Sequence, residues 1–201
     1  MYIIIASSNK GKIDEIQRWL PEHTVVPYSE ILGSFEIEET GLTFQENAII
    51  KVEAIVQKLS EKKYDKEYIV ISDDSGLTVK ALNNEPGLYS ARYAGLDVND
   101  GENNAKLIQK LNEKNLTKTP AYYTACLAVA YKNSIYTTHG WMYGDVINEL
   151  KGQGGFGYDP LFIPNGYKDT LGILDNSIKK ELSHRSRALF LAMKIIKVLL
   201  K

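Results

Sequence analysis

The chain has 201 residues, of which 44% are hydrophobic and 24% charged, so it has enough apolar residues to bury a core of ordinary size. Its 24 basic and 25 acidic residues give a net charge of -1, which provides no overall field to attract nucleic acid. The single cysteine, Cys126, excludes an intramolecular disulfide and a cysteine-rich zinc scaffold. No apolar run approaches the roughly 18 residues of a membrane helix, and no basic leader precedes the first one. We therefore expect one cytoplasmic domain, residues 1–201, that binds neither nucleic acid nor a membrane.

The first part of the chain predicts an alternation of strand and helix. Residues 2–6 form a short β-branched run, and apolar residues at helical spacing follow over residues 13–20. Thr43 and Glu46 have the spacing of a capping box, which predicts a helix over about residues 44–59. These patterns indicate that a sheet and helices are built together.

The later part of the chain predicts more strands and two further helices. Residues 68–71 predict a buried strand that ends at the acidic segment 72–76, with a second strand beyond it. A helix is expected after the polar residues 99–104, and residues 122–131 and 135–143 predict a hairpin of half-buried strands. Ser183 suits the N-cap of a last helix. The whole pattern predicts an α/β protein with a mixed central sheet flanked by helices.

Three features resemble known functional sites but lack residues or a context that those sites need. Residues 152–157 match the dinucleotide spacing G-x-G-x-x-G, but a strand-like run at residues 161–164 follows where a helix must open. Gly11 and Lys12 resemble a phosphate-binding P-loop, but Ile13 replaces its Ser/Thr metal ligand. Cys126 lies inside an apolar strand and is expected to pack in the core rather than act as a nucleophile.

Two acidic segments are candidates for a cation site. Asp73 and Asp74 follow directly after an apolar strand, where a cation or a solvated Asx turn would account for them. Glu39 ends a second acidic group ahead of the capped helix, which would also suit the positive end of the helix dipole. Carboxylates from two separate segments suit a hard cation such as Mg²⁺.

Cationic and aromatic residues elsewhere complete a set that suits a nucleoside triphosphate. Lys12, Lys51 and Arg92 can donate to phosphates. Phe156 offers a ring on which a base can stack, and His184 and Arg185 open the last helix with donors for carbonyl oxygens. Each residue alone is compatible with ordinary surface, whereas the combination indicates nucleotide chemistry.

With these motifs the chain resembles the inosine/xanthosine triphosphate pyrophosphatases, the Ham1-like family. The resemblance rests on six ordered segments, at residues 7–12, 38–51, 73–77, 86–93, 154–160 and 183–185. It implies two lobes with a nucleotide cleft between them and a homodimer. It also implies hydrolysis of ITP, dITP and XTP to the monophosphate and pyrophosphate, which removes deaminated purines from the nucleotide pool.

The resemblance also implies roles for single residues. Mg²⁺ is expected on Glu39 and Asp74, with Asp74 also the catalytic proton acceptor. The triphosphate is expected on one loop, formed by Ser7, Ser8, Asn9, Lys10, Gly11 and Lys12. The rest of the substrate is expected on Lys51, Ser75, Phe156, Gly157, Tyr158, Asp159, Lys179, His184 and Arg185.

Two other classes of protein remain open at this point. A catalytically silent nucleotide-binding protein would keep Phe156 and the lysines but would not need Glu39 and Asp74 together. An RNA-binding module would need a basic surface studded with aromatic residues.

The donors at Lys179, His184 and Arg185 further predict a preference for 6-oxo purines over adenine, since adenine would place donor against donor.

Overall fold

The computed structural model describes residues 1–7, 13, 16, 17 and 19–200. Within these ranges the strands are β1 (Tyr2–Ile5), β2 (Thr24–Pro27), β3 (Tyr68–Val79), β4 (Lys118–Tyr131), β5 (Ser134–Ile147) and β6 (Phe162–Pro164). The helices are α1 (Tyr28–Leu32), α2 (Phe44–Glu61), α3 (Asp100–Glu113), α4 (Asn176–Leu182) and α5 (His184–Leu199). Short 3₁₀ turns occupy Lys80–Leu82, Gly87–Arg92 and Asp159–Leu161.

The strands form one mixed sheet, as the sequence predicts, in the order β2-β1-β3-β4-β5-β6. Strand β1 is parallel to both neighbours, so that Ile3 lies opposite Val25 on one side and Ile69 on the other. Strand β6 is antiparallel to β5. A two-residue turn joins β4 to β5, where Lys132 has a φ of 52°. The parallel strands carry the β-branched runs, which is typical of strands buried on both faces.

Strand β3 corrects the prediction that residues 72–76 lie between two strands. It is continuous from Tyr68 to Val79 and runs through both aspartates, so neither a sheet edge nor an Asx turn is present there. Its neighbours in the sheet are β1 and β4. The backbone stays extended because Asp74 has an ionic partner on α2, described below, and need not reach water.

Helix α2 begins as predicted, although only half of the capping box forms. The Thr43 hydroxyl accepts a hydrogen bond from the Glu46 N–H at 3.1 Å. The Glu46 carboxylate accepts from the N–H of Leu42, at 2.6 Å, instead of returning to Thr43. One helix face is buried, at Asn47, Ala48, Val52, Ile55 and Leu59. The helix is therefore fixed by one side-chain cap and by an apolar stripe.

The chain divides into two compact units, each with its own buried cluster. Unit 1 comprises residues 1–74, 126–138 and 188–201, and its core includes Val52, Val70 and Cys126. Cys126 is fully buried, as predicted, and burial raises the pKa of its thiol to about 12. Unit 2 comprises residues 75–125 and 139–187, and its core is built around Leu107, Phe162 and other residues of α3, β5 and the 3₁₀ turns.

Several other boundaries differ from the sequence prediction. Helix α3 begins at Asp100, inside the polar stretch expected to precede it, because Asn99 and Glu102 form a complete capping box. Strand β4 is buried continuously over residues 125–130 rather than on one face. The short elements β2, α1 and α4 were not predicted, since their few apolar residues show no clear periodicity. Residues 13, 16, 17 and 19 are helical, as expected.

The sequence argued against a dinucleotide-binding motif and against a membrane-spanning helix. The glycine-rich segment leads into a 3₁₀ turn and strand β6, so no helix follows it and the dinucleotide motif is absent. Among the residues that the structure describes, no helix is long and apolar enough to cross a membrane.

Candidate functional site

A cluster of charged side chains lies in unit 1, where α2 meets β3. The ammonium of Lys51 lies 2.7 Å from Glu39 Oε1 and 2.9 Å from Asp74 Oδ1. It also donates to the main-chain carbonyl of Asp73 at 3.1 Å. The three side chains are only 13–24% exposed. The structure thus brings together both carboxylates that the sequence assigned to a metal, with a lysine between them.

Asn47 fastens the segment carrying Glu39 to α2, a role that the sequence did not reveal. Its side-chain oxygen accepts a hydrogen bond from the Gly41 N–H at 2.8 Å, and its amide nitrogen lies 3.4 Å from Asp74 Oδ2. A Cβ at Gly41 would lie 2.6 Å from the Asn47 oxygen, so only glycine allows this approach. The sequence shows only an asparagine next to Ala48, the first residue of the apolar stripe, and the structure shows that this asparagine is 1% exposed.

The electrostatics of this cluster favour a cation. Burial raises the pKa of Asp74, and the positive charge of Lys51 opposes that rise. Burial alone would lower the pKa of Lys51, but the Asp74 and Glu39 carboxylates outweigh it and raise the pKa. The lysine is therefore charged, and the two carboxylates are close enough to share one positive atom.

The donor set of the cluster fits a hard divalent cation. Glu39 and Asp74 supply carboxylate oxygens, the ligands that Mg²⁺ prefers. In the described part of the chain, no three His, Cys, Asp or Glu side chains gather into a metal cage. Two carboxylates suit Mg²⁺, because this ion usually keeps several waters and completes its shell with substrate phosphates.

A second cluster lies in unit 2 around the glycine-rich segment. Asp100 and Asn104, both on α3, hold Gly157 from two sides: the Asp100 carboxylate accepts from its N–H at 2.6 Å, and the Asn104 amide donates to its carbonyl at 3.0 Å. The Asp159 carboxylate accepts from the Phe156 N–H at 3.3 Å. The Phe156 ring is 67% exposed. The backbone is thus fixed while the aromatic ring projects to solvent.

Asp159 is itself a buried charge in this cluster. Burial raises the pKa of its carboxyl to about 6, partly offset by the Phe156 N–H and by Lys179. The ammonium of Lys179 stands 3.9 Å from Asp159 Oδ2. Gly155 has a φ of 91°, and a Cβ there would lie within 1.9 Å of the Asp159 carboxylate. The glycine therefore lets the carboxylate pack directly against the loop.

The start of α5 brings two predicted residues to the same unit. Arg185 donates to the Ser75 hydroxyl at 2.9 Å, and its guanidinium lies 6.0 Å from the Phe156 ring centre. His184 is buried and stacks on Tyr123 with ring centres 4.8 Å apart. These contacts place an arginine, a serine and an aromatic ring around one region of unit 2.

The other residues predicted for the site differ in how far they are exposed. The Tyr158 ring is 3% exposed and its hydroxyl donates to the Ser90 carbonyl, so this tyrosine packs in the core of unit 2. Ser7 is half-buried just after β1. Arg92 is half-buried, with its guanidinium 5.4 Å from the Tyr89 ring centre. The other residues predicted for the triphosphate loop, Ser8, Asn9, Lys10, Gly11 and Lys12, lie outside the described residues.

This fold and these side chains define a class of protein. Its members are mixed α/β sheet proteins with two neighbouring carboxylates and an exposed aromatic ring in a glycine-rich loop. The chain belongs to the Ham1 family, whose family model matches residues 3–195. The sequence resemblance is therefore confirmed over nearly the whole chain.

Individual relatives agree with this assignment. The chain is 57% identical to a dITP/XTP pyrophosphatase of Aliarcobacter butzleri, with all of both chains covered. It is 52% identical to a dITP/XTP pyrophosphatase of Nautilia profundicola, with 98% of each chain covered. Among solved structures it is similar to the Ham1 protein of Staphylococcus aureus, with 37% identity and a TM-score of 0.87 over 98% of each chain. A HAM1 protein from Coxiella burnetii gives 33% identity and a TM-score of 0.88 over 98% of each chain.

Proposed function

We propose that this protein hydrolyses non-canonical purine nucleoside triphosphates, namely dITP, ITP and XTP, to the monophosphate and pyrophosphate. This activity removes deaminated purines from the nucleotide pool. The observation that carries the proposal is that the carboxylates of Glu39 and Asp74 both lie beside the ammonium nitrogen of Lys51, at 2.7 and 2.9 Å. Full-length relatives named dITP/XTP pyrophosphatase support the substrate class.

Glu39 and Asp74 are the proposed ligands of a divalent cation, which enzymes of this kind generally need and which we take to be Mg²⁺. When bound, the ion neutralises charge that develops on the phosphates. Asp74 is also the proposed acceptor of the proton from the attacking water. Burial raises the pKa of Asp74, which favours acceptance of a proton, and the neighbouring Lys51 ammonium opposes that rise.

The remaining charged residues are proposed to bind the phosphates. The segment Ser7, Ser8, Asn9, Lys10, Gly11 and Lys12 supplies backbone N–H groups and lysine charge, with Lys51 as a further donor. Positive charge near the β-phosphate stabilises the leaving pyrophosphate. Ser75, the next residue of β3 after Asp74, is a further proposed substrate contact.

The residues of unit 2 are proposed to bind the base. Phe156 stacks on the purine, as its exposed ring allows. The backbone at Gly157, Tyr158 and Asp159 shapes the loop, while Lys179, His184 and Arg185 donate to the base. A 6-oxo group accepts these donors, whereas the 6-amino group of adenine leaves them unpaired. We therefore expect ATP to be hydrolysed at least about a hundredfold less efficiently than ITP.

We further propose that residues 1–201 act as one functional domain and that the protein is a homodimer. The match of the Ham1 family model to residues 3–195 supports the single domain, and the resemblance to that family supports the homodimer. Sedimentation equilibrium of the purified protein tests the second point, with a monomer mass of 22.6 kDa as the contrary result.

One assay tests the function as a whole. Pyrophosphate release is measured for dITP, XTP, ITP, GTP and ATP with Mg²⁺, and again in excess chelator with Mg²⁺ added back. We expect rapid release from the first three, a loss of about a thousandfold in chelator, and recovery on add-back. Binding of ITP without release would indicate a silent nucleotide-binding protein, and equal rates for ATP and ITP would refute the proposed donor set.

A further inference from the structure

Lys51 lies at the point where the two proposed metal ligands converge. We infer that Lys51 is an internal counter-cation: in the nucleotide-free protein its ammonium holds Glu39 and Asp74, and a divalent metal enters only by displacing it. The displaced ammonium then pairs with the substrate phosphates. The inference rests on the proposed function, because it takes these two carboxylates as the metal ligands.

The contacts of the ammonium carry the first step. An ammonium has three N–H donors, and three acceptors lie within 3.1 Å of it: Glu39, Asp74 and the carbonyl of Asp73. The Lys51 side chain is 14% exposed, so little water competes for these bonds. All of its donor capacity is therefore used within the protein.

Metal and ammonium compete for the same oxygens. Mg²⁺ binds carboxylate oxygens at about 2.0–2.1 Å, which brings a doubly charged ion close to any ammonium that shares Glu39 Oε1 and Asp74 Oδ1. Two cations at that separation repel each other strongly in a half-buried cluster. The metal and the Lys51 ammonium thus exclude each other from these two oxygens.

The charge balance links the displacement to the substrate. The single charge of Lys51 matches only one of the two carboxylate charges, whereas a divalent metal matches both and leaves the ammonium without its carboxylates. A triphosphate supplies new acceptors for it. Metal and nucleotide therefore assist each other through Lys51, and by linkage each raises the affinity of the other by the same factor.

Metal binding without nucleotide tests the inference directly. Binding of Mn²⁺, used as a paramagnetic stand-in, is titrated by electron paramagnetic resonance for the wild type, Lys51→Met and Lys51→Gln. Removing the competing ammonium is expected to tighten binding by about tenfold or more in both variants. Lys58→Met is the matched control, because Lys58 lies two turns further along α2, over the Phe35 ring, and the change in charge is the same. The control is expected to bind Mn²⁺ like the wild type.

Thermal unfolding gives a second readout. Without metal, Lys51→Met removes the ammonium that Glu39 and Asp74 share, so its Tm is expected to fall by about 5 °C or more. Saturating Mn²⁺ should restore the Tm, and it should raise the Tm of this variant more than that of the wild type. A Tm loss that Mn²⁺ does not reverse would assign Lys51 a packing role and overturn the inference.

The outcomes separate this inference from the proposed function. Glu39→Gln is expected to weaken Mn²⁺ binding strongly; if it does not, the proposed metal site is wrong and the counter-cation role falls with it, whereas pyrophosphate release tests the function itself. If Glu39→Gln weakens binding but neither Lys51 variant tightens it, the counter-cation role alone is refuted. A non-hydrolysable α,β-methylene analogue of dITP completes the test, since it should tighten Mn²⁺ binding by a larger factor in the wild type than in Lys51→Met.

Discussion

The two units each contain a buried aspartate beside a lysine, and the two pairs differ in geometry. In unit 1, Asp74 and Lys51 are in contact at 2.9 Å, and Glu39 shares the ammonium. In unit 2, Lys179 stands off at 3.9 Å, and the Asp159 carboxylate instead holds the main chain at Phe156. Burial raises the pKa of both aspartates.

This difference in geometry indicates different roles for Asp74 and Asp159. The first pair is built from side-chain charges that meet each other, which suits a site for a cation and a reacting proton. The second carboxylate is used to shape a loop, and the side chain that the loop presents, Phe156, is apolar and exposed. We therefore expect changes in the first cluster to act on turnover and changes in the second to act on binding and on the choice of base.

The largest expected effect is that of Asp74→Asn, which keeps the shape of the side chain but removes its charge and its capacity to accept a proton. We expect kcat to fall by at least about a hundredfold with dITP, as for the loss of a general base. Asp145→Asn is the matched control, because it makes the same change at a partly exposed aspartate of β5 that pairs with Lys118. An equal loss in both variants would mean that loss of any strand carboxylate, rather than of the Asp74 carboxylate, lowers turnover.

Next in size is the pH dependence of stability at Asp159. Its pKa is about 6 in the folded protein against about 3.9 in an unfolded chain, so the folded state holds this proton more tightly. The contribution of the group to the free energy of unfolding is greatest below about pH 4 and is lost as the pH rises to about 6. Relative to Asp159→Asn, the wild type should lose about 2 kcal/mol between pH 4 and pH 7.

Urea unfolding of both proteins at several pH values measures this difference. Subtracting the variant from the wild type removes the effect of all other carboxylates. A flat difference curve would show that Asp159 has the same pKa in the folded and unfolded states.

Phe156→Ala is expected to have a smaller effect, confined to binding. Losing one stacking surface should raise KM for dITP by about tenfold and leave kcat within about twofold. The Tm should not change, because the ring is 67% exposed. Tyr167→Ala removes another partly exposed ring of unit 2 and serves as the control. If kcat falls as far as KM rises, the loop acts on the reacting phosphates as well as on the base.

The smallest effect concerns the support of that loop by α3. Asp100→Ala removes the acceptor of the Gly157 N–H, so we expect KM to rise by about threefold and the preference for ITP over ATP to fall by a similar factor. Glu102→Ala is the control, since Glu102 caps the same helix end but bonds Asn99. Equal effects of the two variants would trace the change to the helix end and not to its contact with the loop.

The sequence predicted the parts of the fold that periodicity and capping determine. The stripe of α2 and the cap at Thr43 are local patterns, and they lie where expected. The continuity of β3 was not predictable in the same way, because an acidic segment inside a strand is tolerated only when a distant lysine, here Lys51, compensates it. Such pairing depends on tertiary structure, which a local pattern does not contain.

The candidate site was likewise predictable where it depends on sequence motifs and not where it depends on tertiary contacts. Motifs of the family pointed to Glu39 and Asp74, and the structure brings them together. Asn47, Asp100 and Asn104 were missed because they bond to main-chain groups of Gly41 and Gly157, which lie outside the helices that carry these side chains. A side chain that bonds to backbone leaves no compositional signal, since any N–H or carbonyl can be its partner.

The division into units has a consequence for how this protein can change over generations. Unit 1 is assembled from three stretches of chain and unit 2 from two, so the backbone passes from one to the other four times, within β3, β4, β5 and α5. A gene exchange with a single crossover point cannot transfer either unit intact. Exchanges that keep a unit together need several crossover points, whereas point substitutions in a loop such as residues 152–159 leave both units intact.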